Sequence, residues 1–175
     1  MEIEEKLESQ SVYDGKIINV RVDSIGLSGG RTSTREVVEH RNAVVIIPMD
    51  SEDNVILVRQ YRYAVGQFLL EAPAGIIELG ESPTECAERE LQEEIGFFPQ
   101  SLRPLGGFWS SPGFCDEYMY VFLAENLVES KLDEDYDENI MIEKIPLSRI
   151  NSLIKIGEIE DGKTIAAMLM ANSAI

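Results

Sequence analysis

The stretch Gly75-Ile76-Ile77-Glu78-Leu79-Gly80-Glu81-Ser82-Pro83-Thr84-Glu85-Cys86-Ala87-Glu88-Arg89-Glu90-Leu91-Gln92-Glu93-Glu94-Ile95-Gly96-Phe97 decides how this chain is read. Ser82-Pro83-Thr84-Glu85 has the form of a capping box, with proline at the first helical position and a glutamate three residues after the cap. Gly96 is a natural stop. On the helix between them Glu90 and Glu94 are an i, i+4 pair and Glu93 lies beside them, so three carboxylates converge on one narrow face. Like charges that close destabilise a helix, so something positive must neutralise them. Oxygen ligands in this number favour Mg²⁺ or Mn²⁺ over zinc, and Mg²⁺ usually shares itself with substrate phosphates. The spacing therefore points to a diphosphate substrate. Ala87, Leu91 and Ile95 recur every four residues on the neighbouring face and anchor the helix in a core.

Outward from this helix the chain alternates short strands with a few helices. The segment Gly15 to Val38 mixes apolar and polar residues around turn signals such as Gly29-Gly30, as antiparallel hairpins do. Ala43-Val44-Val45-Ile46-Ile47 and Val55-Ile56-Leu57-Val58 are continuous β-branched runs, expected as a buried strand pair, with turn chemistry at Asp50 to Asn54 between them. Further strands are expected at Phe68 to Glu71, Leu102 to Trp109, Glu117 to Ala124 and Ile140 to Ile145. Helices are expected from Leu147 to Lys155 and, capped by Asp161, from Gly162 to Ala171. No repeat or linker is visible. Strands with helices packed on them give an α/β or α+β sandwich.

With 175 residues, one domain with a substantial core is expected. The net charge of -17 argues against nucleic acid as a partner and suits cation binding, although acidity alone also serves solubility. Cys86 and Cys115 lack CxxC spacing, which argues against a zinc site or a disulfide framework. The first ten residues are charged where a signal peptide would be apolar, and no apolar run approaches membrane-spanning length, so a cytoplasmic protein without membrane contact is expected.

The quoted stretch matches the pattern GX5EX7REUXEEXGU, where U is a bulky apolar residue, through Gly75, Glu81, Arg89, Glu90, Glu93, Glu94 and Gly96. On these residues the chain resembles the Nudix hydrolase superfamily. Pro112, sixteen residues after Gly96, and the segment Ser33 to His40 resemble its ADP-ribose pyrophosphatase group; read alone, Pro112 is a turn proline. The resemblance implies a Nudix-type α/β/α sandwich with a mixed sheet. It also implies an N-terminal antiparallel β region over residues 1–40, which forms a homodimer, and a hydrolase domain over 41–175. The implied reaction is hydrolysis of the diphosphate bond of ADP-ribose to AMP and ribose 5-phosphate. Another nucleoside diphosphate sugar, or a non-catalytic nucleotide-binding module on the same fold, stays open as the alternative.

The resemblance assigns Glu90, Glu93, Glu94 and the carbonyl of Ala74 to Mg²⁺ or Mn²⁺, with Glu93 also counted as catalytic. Gly75 permits close backbone approach, and Glu81 and Arg89 support the carboxylates. Arg62, and after it Arg59, are candidates for holding substrate phosphates or ribose; the alternative for Arg62 is a surface arginine packed on Tyr61 or Tyr63. Glu117 matches a position near the metals, or else is an exposed strand-edge carboxylate. The acidic run Asp133 to Glu138 resembles the loop that carries the group's catalytic base, with Glu138 first and Glu134 second; by composition such a run is also a solvated turn. His40, the one histidine, is expected to be a strand residue.

Overall fold

A computed structural model describes residues 3–132 and 139–173. The chain divides into two compact units, Met1–Asn42 with Phe108–Tyr118, and Ala43–Gly107 with Met119–Ile175. In the first unit, β1 (Glu5–Asp14), β2 (Ile18–Leu27) and β3 (Arg31–His40) form an antiparallel sheet in that order. The β2–β3 turn needs left-handed backbone at Gly29 and Gly30, which glycine adopts without a steric penalty. His40 ends β3, in line with its reading as a strand residue. The loop through Pro112 docks on β3, where the amide of Val38 donates to the carbonyl of Phe114 at 2.7 Å. β1 was not anticipated as a strand. Every one of its residues is exposed, so no apolar alternation marks it, and its pairing to β2 is what makes it extended.

The second unit holds two sheets. β4 (Ala43–Pro48) pairs antiparallel with β7 (Ala74–Ile76) and parallel with β9 (Tyr118–Glu129), which neighbours β8 (Phe97–Trp109). β5 (Asn54–Arg62) lies between β10 (Ile140–Pro146) and β6 (Gln67–Glu71). The two apolar runs are thus central strands of different sheets rather than one pair, joined through a single bridge from Met49 to Val55. A strand buried on both faces carries no local mark of its partner. β8 starts at Phe97 rather than Leu102 because it is an edge strand, where Pro99 and Pro104 leave no central ladder bond unmade.

α1 (Pro83–Glu90) begins as its sequence dictates. The hydroxyl of Ser82 accepts from the amide of Glu85 at 3.3 Å, and the Glu85 carboxylate accepts from the amide of Ser82 at 2.8 Å. The helix continues through a widened π turn, Leu91–Ile95, and stops at Gly96 in the left-handed conformation. Such turns are frequent at functional sites, and this one modifies the regular spacing expected for Glu93 and Glu94. Cys86, Ala87, Leu91 and Ile95 pack with Val44, Ile46, Ile56, Val58 and Phe122. Burial of Leu91 and Ile95 stabilises the seat of the helix by about 2 kcal/mol each. α2 (Leu147–Ile156) contacts β10, and α3 (Gly162–Asn172) contacts β4, the strand that α1 also contacts. Among the described residues no helix is long and apolar enough to cross a membrane.

Ser82→Ala is expected to cost about 1 kcal/mol. The melting temperature should fall by roughly 2–4 °C. Calorimetry of the two proteins checks this, and an unchanged midpoint would mean that the cap contributes nothing.

Candidate functional site

Arg89 organises the acidic helix. Its Nε and Nη2 donate to Glu81 Oε1 and Oε2 at 2.8 and 3.1 Å, and its Nη1 donates to Glu90 Oε1 at 2.7 Å and to Glu93 Oε2 at 2.8 Å. A further bond from Nη2 to the carbonyl of Ile76, at 3.3 Å, ties the guanidinium to β7. One planar fork thus holds three carboxylates in fixed relation, a task for which a lysine has no equivalent geometry. The hydrogen bond to Glu81, ahead of the charge of Glu90 and the hydrogen bonds to Glu93 and Glu90, raises the Arg89 guanidinium well above its ordinary value.

The converse holds at Glu81. The Arg89 hydrogen bond keeps this carboxyl below the usual carboxylate range, and the amide of Glu78 adds to it at 2.9 Å. A carboxyl depressed in the folded state contributes stability that is present above its ordinary value and is lost as pH falls through the folded one. Glu81→Gln is therefore expected to destabilise the protein at pH 7, with the gap to wild type closing below about pH 4. Urea melts at stepped pH test this, and a gap that stayed constant down to strong acid would contradict it.

Glu90 and Glu94 are 8% and 4% exposed. The Glu90 side chain lies so close to β7 that a Cβ built on Gly75 would stand 1.7 Å from its Oε1. Glu94 Oε2 accepts from the amide of Ala74 at 3.3 Å. The backbone of Ala74 and Gly75 and the carboxylates of Glu90 and Glu94 therefore meet at one place, where β7 runs beside α1. Among the described residues no three acidic, histidine or cysteine side chains are grouped as they would be around a metal ion; Arg89 takes one oxygen each of Glu90 and Glu93 instead. The donor set still fits a hard divalent cation, since it consists of oxygens, it is partly buried, and it carries excess negative charge. Glu93 and Glu94 also border an open cleft of ≈ 470 Å³ with Ser130, Lys131 and Ile142, a volume within the range of small-molecule sites.

The two candidate arginines on β5 part company. Arg62 forks onto Glu71 at 2.8 and 2.7 Å. Glu71 raises its guanidinium first, and the charge of Glu94 contributes. Arg59, three positions back and so on the opposite face of the strand, bonds Glu143 at 2.6 Å and Glu158 at 2.7 Å. In the first unit, Glu117 lies 3.4 Å from His40 Nδ1, and Pro112 sits in the turn in which the amide of Phe114 donates to the carbonyl of Ser111. Glu134 and Glu138 lie outside the described residues. The sequence reading passed over one group, the buried Glu71 with Lys163. Its signal was a glutamate closing the apolar run Phe68-Leu69-Leu70.

Residues 39–168 match the family model described as NUDIX domain, and residues 4–38 match the nucleoside diphosphate sugar hydrolase N-terminal domain. The chain is 37% identical over 169 residues to an ADP-ribose pyrophosphatase of Bacillus subtilis (strain 168), covering 95% of this chain and 91% of that protein. It is 36% identical over 172 residues to an ADP-ribose pyrophosphatase of Mycobacterium tuberculosis (strain ATCC 25618 / H37Rv), covering 97% and 83%. A crystal structure of an ADP compounds hydrolase superposes with a TM-score of 0.90 at 25% identity, covering 99% of this chain and 94% of that one.

Proposed function

The chain belongs to the NUDIX domain family, and from that premise we propose that it hydrolyses the diphosphate bond of ADP-ribose, giving AMP and ribose 5-phosphate. The observation that carries this reading is the seat of Glu90 and Glu94 on the backbone of Ala74 and Gly75, in a chain similar over most of its length to proteins named for that activity. Divalent-metal dependence is typical of the family. Glu90, Glu93, Glu94 and the Ala74 carbonyl would hold Mg²⁺, or Mn²⁺ in its place. Such cations supply Lewis acidity toward the diphosphate oxygens and acidify the attacking water.

The chain's own groups do the rest. Arg89 and Glu81 keep the carboxylates in register before substrate arrives, so little reorganisation remains at the moment of reaction. Arg62 places positive charge on the diphosphate, with Arg59, Pro112 and Glu117 as further substrate-side candidates. Glu138, or Glu134, accepts the proton of the water that attacks phosphorus. The P–O bond to the leaving phosphate then breaks, and that oxygen leaves with its electron pair. Residues 1–40 serve as the dimer-forming region of a cytoplasmic homodimer.

The test is direct. Protein incubated with ADP-ribose and Mg²⁺ should release AMP and ribose 5-phosphate in equal amounts, and a chelator should stop the release. A second reading, cleavage of another nucleoside diphosphate sugar, is favoured by the match of residues 4–38. Relative kcat/KM on a substrate panel separates the two, and faster cleavage of a nucleotide sugar than of ADP-ribose would replace the first reading with the second.

A further inference from the structure

The buried carboxylate of Glu71 stands apart from the acidic helix. Glu71 closes β6 and is 1% exposed. Two cations share it. Arg62, at the end of the adjacent strand, bonds both of its oxygens, and Lys163, in the first turn of α3, donates to Oε2. Lys163 also reaches the N-cap residue Asp161 at 3.0 Å, so two anions and two cations balance. A buried ion network of this kind contributes little net stability compared with apolar packing, so fold stability alone is a weak reason for it.

Arg62 differs from its partner in exposure. Its side chain is 42% exposed against 1% for Glu71, so the fork is gripped by a buried partner while much of the arginine side chain stays open to solvent. The positive charge also lies within the field of Glu94. The chain from Glu71 to Ala74 is pinned at successive residues. The amide of Ala72 donates to Thr164 Oγ1 at 2.7 Å, the carbonyl of Pro73 accepts from the amide of Ile46 at 2.9 Å, and the amide of Ala74 donates to Glu94. The segment that carries the clamp on Arg62 therefore leads straight into the backbone on which the acidic residues sit.

We propose that Glu71, braced by Lys163, is a positioning residue that clamps Nε and Nη2 of Arg62 and aims the remaining edge of the guanidinium at the substrate diphosphate. The inference rests on the reading of the protein as a diphosphate hydrolase. A guanidinium held at two points loses rotation before substrate arrives, so less ordering remains to be done on binding. A lysine at position 62 would keep the charge and lose the aim.

The experiment compares wild type, Glu71→Gln, Arg62→Lys and the double variant on ADP-ribose with Mg²⁺, reading KM, kcat and melting temperature. Each single variant is expected to raise KM about tenfold, with a smaller change in kcat. The double variant should stay within about twofold of Arg62→Lys, since Glu71 no longer has a guanidinium to orient. A Glu71→Gln protein that melts earlier but keeps its KM would reduce Glu71 to a structural residue and overturn the proposal. Should Glu71→Gln fail to fold, Arg62→Lys still decides: a KM equal to wild type refutes the aimed fork, whereas a KM raised about tenfold supports it. Wild type that cleaves no nucleoside diphosphate conjugate would remove the functional reading and this one together, an outcome distinct from an unmoved KM in an active enzyme.

Discussion

Glu94→Gln is expected to lower kcat on ADP-ribose by about a hundred- to a thousandfold, the scale on which loss of one electrostatic partner of a transition state is felt. The substitution is nearly isosteric. At a site 4% exposed this matters, because a shorter side chain would leave a hole and confuse loss of charge with loss of packing. The amide oxygen of Gln can still accept from the amide of Ala74, so the local geometry is kept while the negative charge is removed. A second readout separates the metal role from a folding defect. Cations that bind the native state raise its melting temperature by mass action. Wild type should therefore melt later with saturating Mg²⁺ than with chelator, and this difference should shrink in the variant. Full turnover together with an undiminished Mg²⁺ shift would rule out the metal role proposed for Glu94.

The helix behind that expectation was legible because each of its determinants is local. Ser82, Pro83 and Glu85 specify the start, Gly96 the stop, and Ala87, Leu91 and Ile95 the buried face, all within a few residues of one another. The same holds for α3, whose N-cap Asp161 accepts from the amide of Thr164 at 2.9 Å. Pairings across long sequence distances were less legible. β4 reads as a buried strand from its own composition, but its parallel partner β9 lies far along the chain, and nothing in Val44 to Ile47 names it. The widened turn at Leu91–Ile95 also left no local mark, because the apolar spacing suits a regular helix equally well. Glu71 shows the limit for a buried charge network. Its bond to Arg62 spans nine positions and its bond to Lys163 spans 92, so the charge network exists only once β5, β6 and α3 are assembled.

Gly75→Ala tests the site from the backbone side and is expected to have the other large effect. Gly75 lies in β7 opposite Val44, and at this position space rather than a left-handed backbone forbids a side chain. An added methyl would stand 1.7 Å from Oε1, 1.8 Å from Cδ and 2.4 Å from Cγ of Glu90. Oε1 and Cδ are the far end of the side chain but Cγ is not, so Glu90 must turn about its Cα–Cβ bond to make room while the strand stays paired. Swinging it breaks the 2.7 Å bond from Arg89 and takes a carboxylate off the acidic face. The expected result is a loss of kcat of about a hundredfold or more. Stability should fall only by about 1–3 kcal/mol, the range for an overpacked core position. Gly80→Ala supplies the contrast. Gly80 has φ +88° with nothing within 4 Å of an added Cβ, so alanine there strains the backbone and touches no carboxylate. It should lower the melting temperature and leave kcat of the folded enzyme within about twofold, since strain of this kind costs on the order of 1 kcal/mol and displaces no charged group. If Gly75→Ala kept wild-type kcat while Gly80→Ala lost it, the close seat of Glu90 on β7 would have no part in the chemistry.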